Sequence, residues 1–324
     1  MREGNIILQA EEVKKYFPIK GSFGKLEKQV KAVDGVSFTL HAGETYGLVG
    51  ETGCGKSTLG RTVLKLLEPT DGKIIYNGTD ISGLTEKKMR PYRKEMQIIF
   101  QDPFTSLNPR KQVGQILEEA LDIQGMKGDR EQTGMEIMEK VGLRKEHYFR
   151  YPHEFSGGQR QRIGIARALI LEPKMIVCDE PVSALDVSIQ SQIINLLLDL
   201  QEENNLAYIF IAHDMSVVKY ISTRIGVMYL GHIVEEAVTD DLFGMPLHPY
   251  TQALLSAVPQ VNPHVRKQKA ALKGDVPSPI NPPSGCVFHT RCPYVMPVCK
   301  ERAPCRKEEM SGHFVACHLY ENES

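Results

Sequence analysis

A glycine-rich loop set between an apolar run and a helical pattern restricts the fold more than any other feature. Residues 45–49 (TYGLV) have the composition of a buried strand, and residues 57–67 have helical periodicity. The glycines let backbone N–H groups turn inward, the helix N-terminus favours negative charge, Lys56 adds a cation, and the Ser57 hydroxyl can ligate Mg²⁺. The pattern predicts a nucleotide phosphate site, the phosphate loop, on an α/β fold. Its candidate residues are Gly50, Glu51, Thr52, Gly53, Cys54, Gly55, Lys56, Ser57 and Thr58.

Length and charge limit the classes of function. The 324 residues, 41% of them hydrophobic and 24% charged, are enough for a large core divided into two or three units. A net charge of −1 gives no overall positive potential that would attract a polyanion, so nucleic acid is not an expected partner. No segment approaches the roughly 18 apolar residues of a membrane span, and the N-terminus lacks the core of a signal peptide. We therefore expect a soluble, cytoplasmic protein.

Strand patterns alternate with helical ones along most of the chain, which predicts a largely parallel core sheet. A hairpin with Asp-Gly and Asn-Gly turns is expected over 70–78, and a mostly helical insert within about 102–165. Prolines accumulate over 259–285 and indicate a linker, and the rest is too short to fold on a core of its own. The predicted organisation is a cassette over 1–258, the linker over 259–285 and a cysteine-rich tail over 286–324. Strands are predicted at 6–13, 30–40, 45–49, 96–100, 175–178, 207–212 and 224–230.

Two carboxylates follow the apolar strand at 175–178. In this arrangement Asp179 can hold Mg²⁺ and Glu180 can orient or deprotonate a water. A strand that merely ends in acids would be the better interpretation of this hexapeptide alone, but the phosphate loop upstream favours the functional one. Gln101 and His213 also follow predicted strands. Because parallel strands end at one edge of a sheet, we expect these residues to meet Gly50 there, with Gln101 on Mg²⁺ and His213 on the γ-phosphate.

A second phosphate-seeking element opens the helix predicted at 159–171. It is the run Phe155-Ser156-Gly157-Gly158-Gln159, and a chain with two such elements is expected to clamp a nucleotide between two surfaces. A turn, Ser183-Ala184-Leu185-Asp186, leads into another helix downstream. A small-molecule kinase with a phosphate loop would lack the first of these runs, and a pure metal or redox module would leave Asp179 and Glu180 without a purpose.

Together these motifs resemble ABC-type ATPases over residues 1 to about 245. The resemblance implies an ABC-type fold with an antiparallel β subdomain, and two cassettes that dimerise head to tail. Ser156, Gly157, Gly158 and Gln159 would then serve the ATP held by the other cassette, beside the family's D-loop at 183–186. Phe155 stands where the family usually has Leu. An aromatic residue usually stacks on adenine, and alignment favours Phe17, with Tyr16 as second choice.

A closer resemblance is to the ATP-binding subunits of oligopeptide and dipeptide permeases, and within them to the subunit that pairs with a different sister ATPase. It implies import of peptides, with nickel or glutathione as alternative cargo, and a position on the inner face of the membrane. The implied partners are the sister ATPase, two transmembrane permease subunits and an extracytoplasmic binding protein. A soluble, non-transport ABC ATPase is the rival class. The residues that carry the resemblance are 99–110, 150–169, 179–188 and 246–259.

Five of the seven cysteines fall between Cys286 and Cys317. An odd count in a cytosolic chain argues against a disulfide framework and for metal or cluster chemistry, although the tight C-x2-C pairs of zinc sites are absent. The permease resemblance implies a [4Fe–4S] cluster, and Cys305 falls outside its spacing. Zinc or free thiols are the alternatives. The four implied ligands are Cys286, Cys292, Cys299 and Cys317.

Overall fold

The computed structural model describes residues 5–20, 26–257 and 274–321. The chain divides into two compact units. Unit 1 is drawn from Met1–Ile7, Leu40–Glu44 and Gly83–Ile211, and unit 2 from Leu8–Thr39, Thr45–Ser82 and Ala212–Ser324. Within the described ranges, no helix is long and apolar enough to cross a bilayer.

The strands fall at most of the predicted positions. They are β1 Ile6–Lys20, β2 Leu26–His41, β3 Thr45–Val49, β4 Asp71–Tyr76, β5 Thr79–Asp80, β6 Met96–Ile99, β7 Met175–Asp179, β8 Ala207–Ile211, β9 Arg224–Tyr229, β10 His232–Val238, β11 Arg306–Met310 and β12 His313–Ala316. The helices are α1 Lys56–Val63, α2 Glu86–Glu95, α3 Pro103–Ser106, α4 Val113–Gln124, α5 Arg130–Lys140, α6 Gly157–Leu169, α7 Val187–Asn204, α8 Met215–Ile221, α9 Thr239–Gly244, α10 Pro249–Ser256 and α11 Val298–Glu301.

Unit 1 carries parallel strands and the predicted helical insert. β7 pairs in parallel with β6 on one side and with β8 on the other, and every residue of β7 and β8 is buried. Such uniformly apolar strands are typical of a parallel sheet covered on both faces. The insert comprises α3 to α6, in which α4 and α5 pack against each other and against α6. The parallel register brings the ends of β6 and β7 side by side, with Ile99 opposite Cys178.

Unit 2 combines parallel and antiparallel pairing. β3 and β9 are parallel, whereas β9–β10, β10–β12 and β12–β11 are antiparallel. A separate antiparallel sheet has the strand order β2-β1-β4-β5. The predicted α/β class with an antiparallel β subdomain is therefore confirmed.

The predicted hairpin has one turn rather than two. Asn77 and Gly78, with φ of 46° and 76°, join β4 to β5 as the Asn-Gly pattern predicts. The Asp-Gly pair instead begins β4, where the pairing with β1 is irregular. A Cβ at Gly72 would lie 2.3 Å from the Glu12 carbonyl oxygen, so this glycine permits a close backbone approach.

The C-terminal segment adds strands to unit 2. β12 pairs with β10, placing Val315 opposite Glu235. The buried Glu235 carboxylate accepts hydrogen bonds from the backbone N–H groups of Leu247 and His248 and contacts His313 Nε2 at 2.7 Å. A segment too short for its own core is thus stabilised on the edge of an existing sheet. Residues 258–273, most of the predicted linker, lie outside the described residues.

Candidate nucleotide site

Two glycines make the backbone path of the phosphate loop possible. Gly50 has φ of 149° and Gly55 has φ of 108°, values that side-chain-bearing residues rarely adopt. A Cβ at Gly50 would lie 2.1 Å from the Met228 carbonyl oxygen, and one at Gly55 would lie 2.0 Å from that of Ala32. Both positions of the motif therefore require glycine for space as well as for conformation.

Lys56 lies folded over the loop. Its Nζ donates to the carbonyl oxygens of Gly50 at 2.7 Å and of Glu51 at 3.1 Å, and the side chain is 5% exposed. The N-cap of α1 is Gly55, which makes no side-chain cap hydrogen bond, and the first turn of the helix has no acidic residue. This helix end keeps its partial positive charge. The donor set, an ammonium beside an uncapped helix N-terminus, fits a nucleotide phosphate.

The remaining loop residues differ in exposure. Thr52 and Gly53 are exposed, and no atom of the described residues lies within 4 Å of a Cβ at Gly53. Ser57 and Thr58, which begin the helix, are half-buried. Cys54 is buried, and burial raises the pKa of its thiol, so it packs beneath the loop as a neutral side chain.

The structure separates the two aromatic candidates for adenine stacking. The Tyr16 hydroxyl donates to the Asp34 carboxylate, and burial and this bond raise the pKa of Tyr16. The Phe17 ring is exposed, and Lys15 Nζ lies 5.1 Å from its centroid. Phe17 is therefore the more accessible of the two rings, whereas the Tyr16 hydroxyl is bonded to Asp34.

His213 is placed by its neighbour in the chain. The Ala212 N–H donates to the Leu48 carbonyl oxygen at 3.4 Å, near the end of β3 where the phosphate loop begins. His213 follows directly and is exposed. His213 therefore lies near the end of β3, and its contact with the γ-phosphate stays a prediction.

Gln101 and Glu180 are brought together in unit 1. β7 ends at the buried Asp179, and Glu180 follows with φ of 48°. Gln101, which comes after the neighbouring β6, donates through Nε2 to Glu180 Oε2 at 2.8 Å. The Glu180 N–H donates to the Ile211 carbonyl oxygen at 3.0 Å. The amide therefore orients the carboxylate, while ligation of Mg²⁺ by Gln101, Asp179 and Ser57 stays a prediction.

Ser156 begins α6 as its N-cap. The Gln159 N–H donates to Ser156 Oγ at 3.4 Å, and the Ser156 N–H donates to Gln159 Oε1 at 3.0 Å. This reciprocal pattern is a capping box, which the Ser-x-x-Gln spacing could have indicated. Phe155, at the position where Leu is usual, is buried and packs against His147 in a T-shaped arrangement. The aromatic side chain is accommodated there.

The turn at 183–186, predicted to be the D-loop, lies beside the start of α6. A Cβ at Gly157 would lie 3.5 Å from Leu185 Cδ2, and one at Gly158 would lie 2.5 Å from Ile189 Cγ2 in α7. Gly158 therefore has no room for a side chain. Within the turn, Ala184 and Asp186 are exposed, and Ser183 Oγ donates to the Glu180 carbonyl oxygen at 3.1 Å.

Two contacts with Glu51 were not expected from the sequence. Arg291 binds its carboxylate with both terminal nitrogens, and the Tyr250 hydroxyl accepts its N–H at 2.8 Å. Glu51 occupies an unspecified position of the loop motif, and Arg291 follows it by 240 residues. No local pattern signals such a pair.

Comparison with known proteins places the chain in a family. The ABC transporter family model matches residues 33–183, and the model for the oligopeptide/dipeptide transporter C-terminal region matches residues 234–299. The oligopeptide transport ATP-binding protein AppF of Bacillus subtilis (strain 168) is 58% identical over 320 residues, covering 97% of each protein. The chain belongs to the oligopeptide/dipeptide family of ABC transporter ATP-binding proteins.

A second relative and a solved structure agree with this assignment. The dipeptide transport ATP-binding protein DppF of Haemophilus influenzae (strain ATCC 51907 / DSM 11121 / KW20 / Rd) is 49% identical over 319 residues, covering 98% of each protein. The ATP-binding cassette MJ0796, dimeric and bound to ADP and phosphate, matches with a TM-score of 0.65 and 25% identity over 72% of this chain and 99% of that one. The predicted ABC ATPase fold and ATP-hydrolysing class are confirmed.

The iron–sulfur prediction for this ABC ATPase is wrong. Across 5–20, 26–257 and 274–321, no group of three or more His, Cys, Asp or Glu side chains is placed to hold a metal ion. Burial raises the pKa of Cys286 to about 11 and of Cys317 to about 12. Cys317 packs with Leu247 and Val315. The seven cysteines are free thiols, those of the tail being Cys286, Cys292, Cys299, Cys305 and Cys317.

Proposed function

We propose that this chain is the ATP-hydrolysing subunit that powers peptide import through a membrane ABC transporter. The observation that best supports this proposal is that the sequence is 49–58% identical, over at least 97% of the chain, to ATP-binding proteins of oligopeptide and dipeptide transport. The second family match, at 234–299, supports the same branch because it describes the C-terminal region of oligopeptide/dipeptide transporters. Nickel and glutathione are the alternative cargoes.

The proposed chemistry assigns one task to each candidate residue. Lys56 and the N-terminus of α1 bind the phosphates, and Ser57, Asp179 and Gln101 hold Mg²⁺. The metal supplies neutralisation of phosphate charge when bound. Glu180, oriented by the Gln101 amide at 2.8 Å, positions the attacking water and accepts its proton. His213 donates to the γ-phosphate, so catalysis rests on positioning and charge rather than on covalent chemistry.

A second ATPase subunit completes the proposed machine. The Ser156–Gln159 segment begins α6 with an exposed Ser156, and we assign it to the ATP of a sister subunit in a head-to-tail heterodimer. Two transmembrane permease subunits and an extracytoplasmic binding protein are the further proposed partners. The subunit would then lie on the inner face of the cell membrane, where closure of the ATPase dimer moves the permeases.

Reconstitution tests the transport function and the cargo together. Membranes from cells expressing the tagged chain are solubilised in detergent, and copurifying subunits are incorporated into liposomes. We expect permease subunits to copurify and ATP to drive uptake of labelled peptides, with no uptake of labelled nickel or glutathione. Recovery of the chain without permeases would contradict the transport function, and uptake of nickel or glutathione alone would contradict the peptide assignment.

The adenine platform is tested by Phe17→Ala. Removing the exposed ring should weaken ATP binding about 5- to 10-fold, since stacking of a base on an aromatic side chain contributes about 1 kcal/mol or more. Tyr16→Phe is the matched control because the Tyr16 hydroxyl is engaged by Asp34. Binding is measured by calorimetry for ATP and for inorganic tripolyphosphate. Equal weakening of both ligands, or a larger loss in Tyr16→Phe, would argue against stacking on Phe17.

A further inference from the structure

The phosphate loop of unit 2 is joined to the C-terminal segment by a bidentate ion pair. Arg291 donates through one terminal nitrogen to Glu51 Oε2 at 2.6 Å and through the other to Oε1 at 3.1 Å. The Arg291 side chain is 6% exposed, and Glu51 raises its pKa, so the guanidinium stays charged. Paired N–H···O bonds of this kind fix orientation as well as distance. The pair therefore restrains the residue that directly follows Gly50.

The backbone of Glu51 is held from the same region. Its N–H donates to the hydroxyl of the fully buried Tyr250, which lies in α10. The Tyr250 N–H in turn donates to His248 Nδ1 at 3.0 Å. Burial lowers the pKa of His248 to about 4, so this imidazole is neutral and keeps its acceptor nitrogen. Glu51 is thus held at its backbone by Tyr250 and at its carboxylate by Arg291.

Arg291 is itself fixed before any ligand binds. Its N–H donates to the Phe288 carbonyl oxygen at 3.0 Å, and its guanidinium lies 5.9 Å from the Tyr229 ring centroid. Phe288 packs against Tyr229 at 5.2 Å and Tyr250 at 5.4 Å between centroids. The arginine is therefore preorganised by a buried aromatic cluster rather than drawn from solvent.

Charge gives this arrangement a consequence for ligand binding. Glu51 places a carboxylate in a loop that is proposed to bind a polyanion, and two like charges about 4 Å apart repel by several kcal/mol at intermediate dielectric. Arg291 cancels that charge and holds the carboxylate at a fixed place. We propose that Arg291 is a positioning residue for the phosphate loop, which makes nucleotide affinity depend on the C-terminal segment. The inference rests on the proposed role of the loop in binding ATP.

The principal test is Arg291→Met in the full chain, with ADP and non-hydrolysed ATP analogues titrated by calorimetry. We expect about 10-fold weaker binding, a coupling typical of groups in direct contact. In the assembled transporter, KM for ATP should rise by a similar factor while kcat changes less than about twofold. Arg302→Met is the matched control, because it removes an exposed arginine of the same region whose partner, Glu321, lies outside the loop. Its affinity should remain that of the wild type.

A charge rescue separates positioning from a purely structural role. Adding Glu51→Gln to Arg291→Met removes the uncompensated carboxylate and should restore about half of the lost affinity on a logarithmic scale. Arg291→Lys keeps the positive charge but cannot make the two parallel hydrogen bonds of a guanidinium, so its nucleotide affinity should be about threefold lower than that of the wild type. This variant replaces Arg291→Met in the test if Arg291→Met does not fold. Wild-type nucleotide affinity in a folded Arg291→Met variant would overturn the inference, and so would wild-type affinity in Arg291→Lys if Arg291→Met does not fold. A double variant that binds nucleotide as weakly as Arg291→Met would also overturn it.

Comparing the wild type with Lys56→Ala shows whether a negative result concerns the role of Arg291 or the proposed binding of ATP by the phosphate loop. If the wild type binds nucleotide and Lys56→Ala does not, the loop binds ATP and the Arg291 variants test the inference alone. If Lys56→Ala binds as tightly as the wild type, the loop assignment fails and the inference is overturned with it.

Discussion

Glu180→Gln is expected to lower ATP hydrolysis by roughly 100- to 10,000-fold while ATP binding is retained. The carboxylate follows the buried Asp179 and is held by the Gln101 amide at 2.8 Å. The substitution keeps the shape of the side chain and removes its capacity to accept a proton. Gln101→Ala, which removes the orienting donor and one proposed Mg²⁺ ligand but keeps the Glu180 carboxylate, should lower hydrolysis less, by about 10-fold.

Hydrolysis is measured in the assembled transporter, because the Ser156–Gln159 segment is assigned to the other subunit's ATP and the isolated chain should hydrolyse poorly. Glu146→Gln, an exposed carboxylate of unit 1, is the matched control and should hydrolyse at the wild-type rate. ATP affinity is measured in parallel to separate binding from turnover. Near-normal hydrolysis by Glu180→Gln would remove Glu180 from the proposed role.

The residues that could be predicted from the sequence are those whose chemistry requires a local pattern. Gly50 and Gly55 are constrained by backbone geometry and Lys56 by its position at a helix N-terminus, so the motif alone locates them. Gln101 and Glu180 could each be located after an apolar strand from local patterns, whereas their contact depends on β6 and β7 being neighbours in a parallel sheet. Local motifs therefore locate these residues in the chain, and their roles in binding and hydrolysis stay predictions.

Contacts that depend on distant chain segments could not be predicted in this way. Arg291 reaches Glu51 because both residues lie in unit 2, and neither has a distinctive neighbourhood in the sequence. The cysteine spacing of the tail misled for a related reason. Spacing shows only which thiols are close in the sequence. In the structure Cys317 packs with Leu247 and Val315, where its side chain acts as a small apolar group.

Ser156 has two roles that a single substitution can separate. Its Oγ accepts the Gln159 N–H as the N-cap of α6, and it is also assigned to the γ-phosphate of the other subunit's ATP. Removing the hydroxyl would disturb both. Aspartate and asparagine are among the best N-cap residues, so either replacement should keep the helix start. Only the aspartate adds a negative charge beside the phosphate.

Ser156→Asp is therefore expected to lower ATP hydrolysis by the assembled transporter roughly 100-fold or more, since a unit charge about 4 Å from another costs several kcal/mol at intermediate dielectric. The melting temperature of the chain and its own affinity for ATP should stay at wild-type values. Ser156→Asn, nearly identical in shape and uncharged, should hydrolyse at least 10 times faster than Ser156→Asp. If the two variants hydrolyse equally well, the added charge meets no phosphate, and Ser156 acts only as a helix cap.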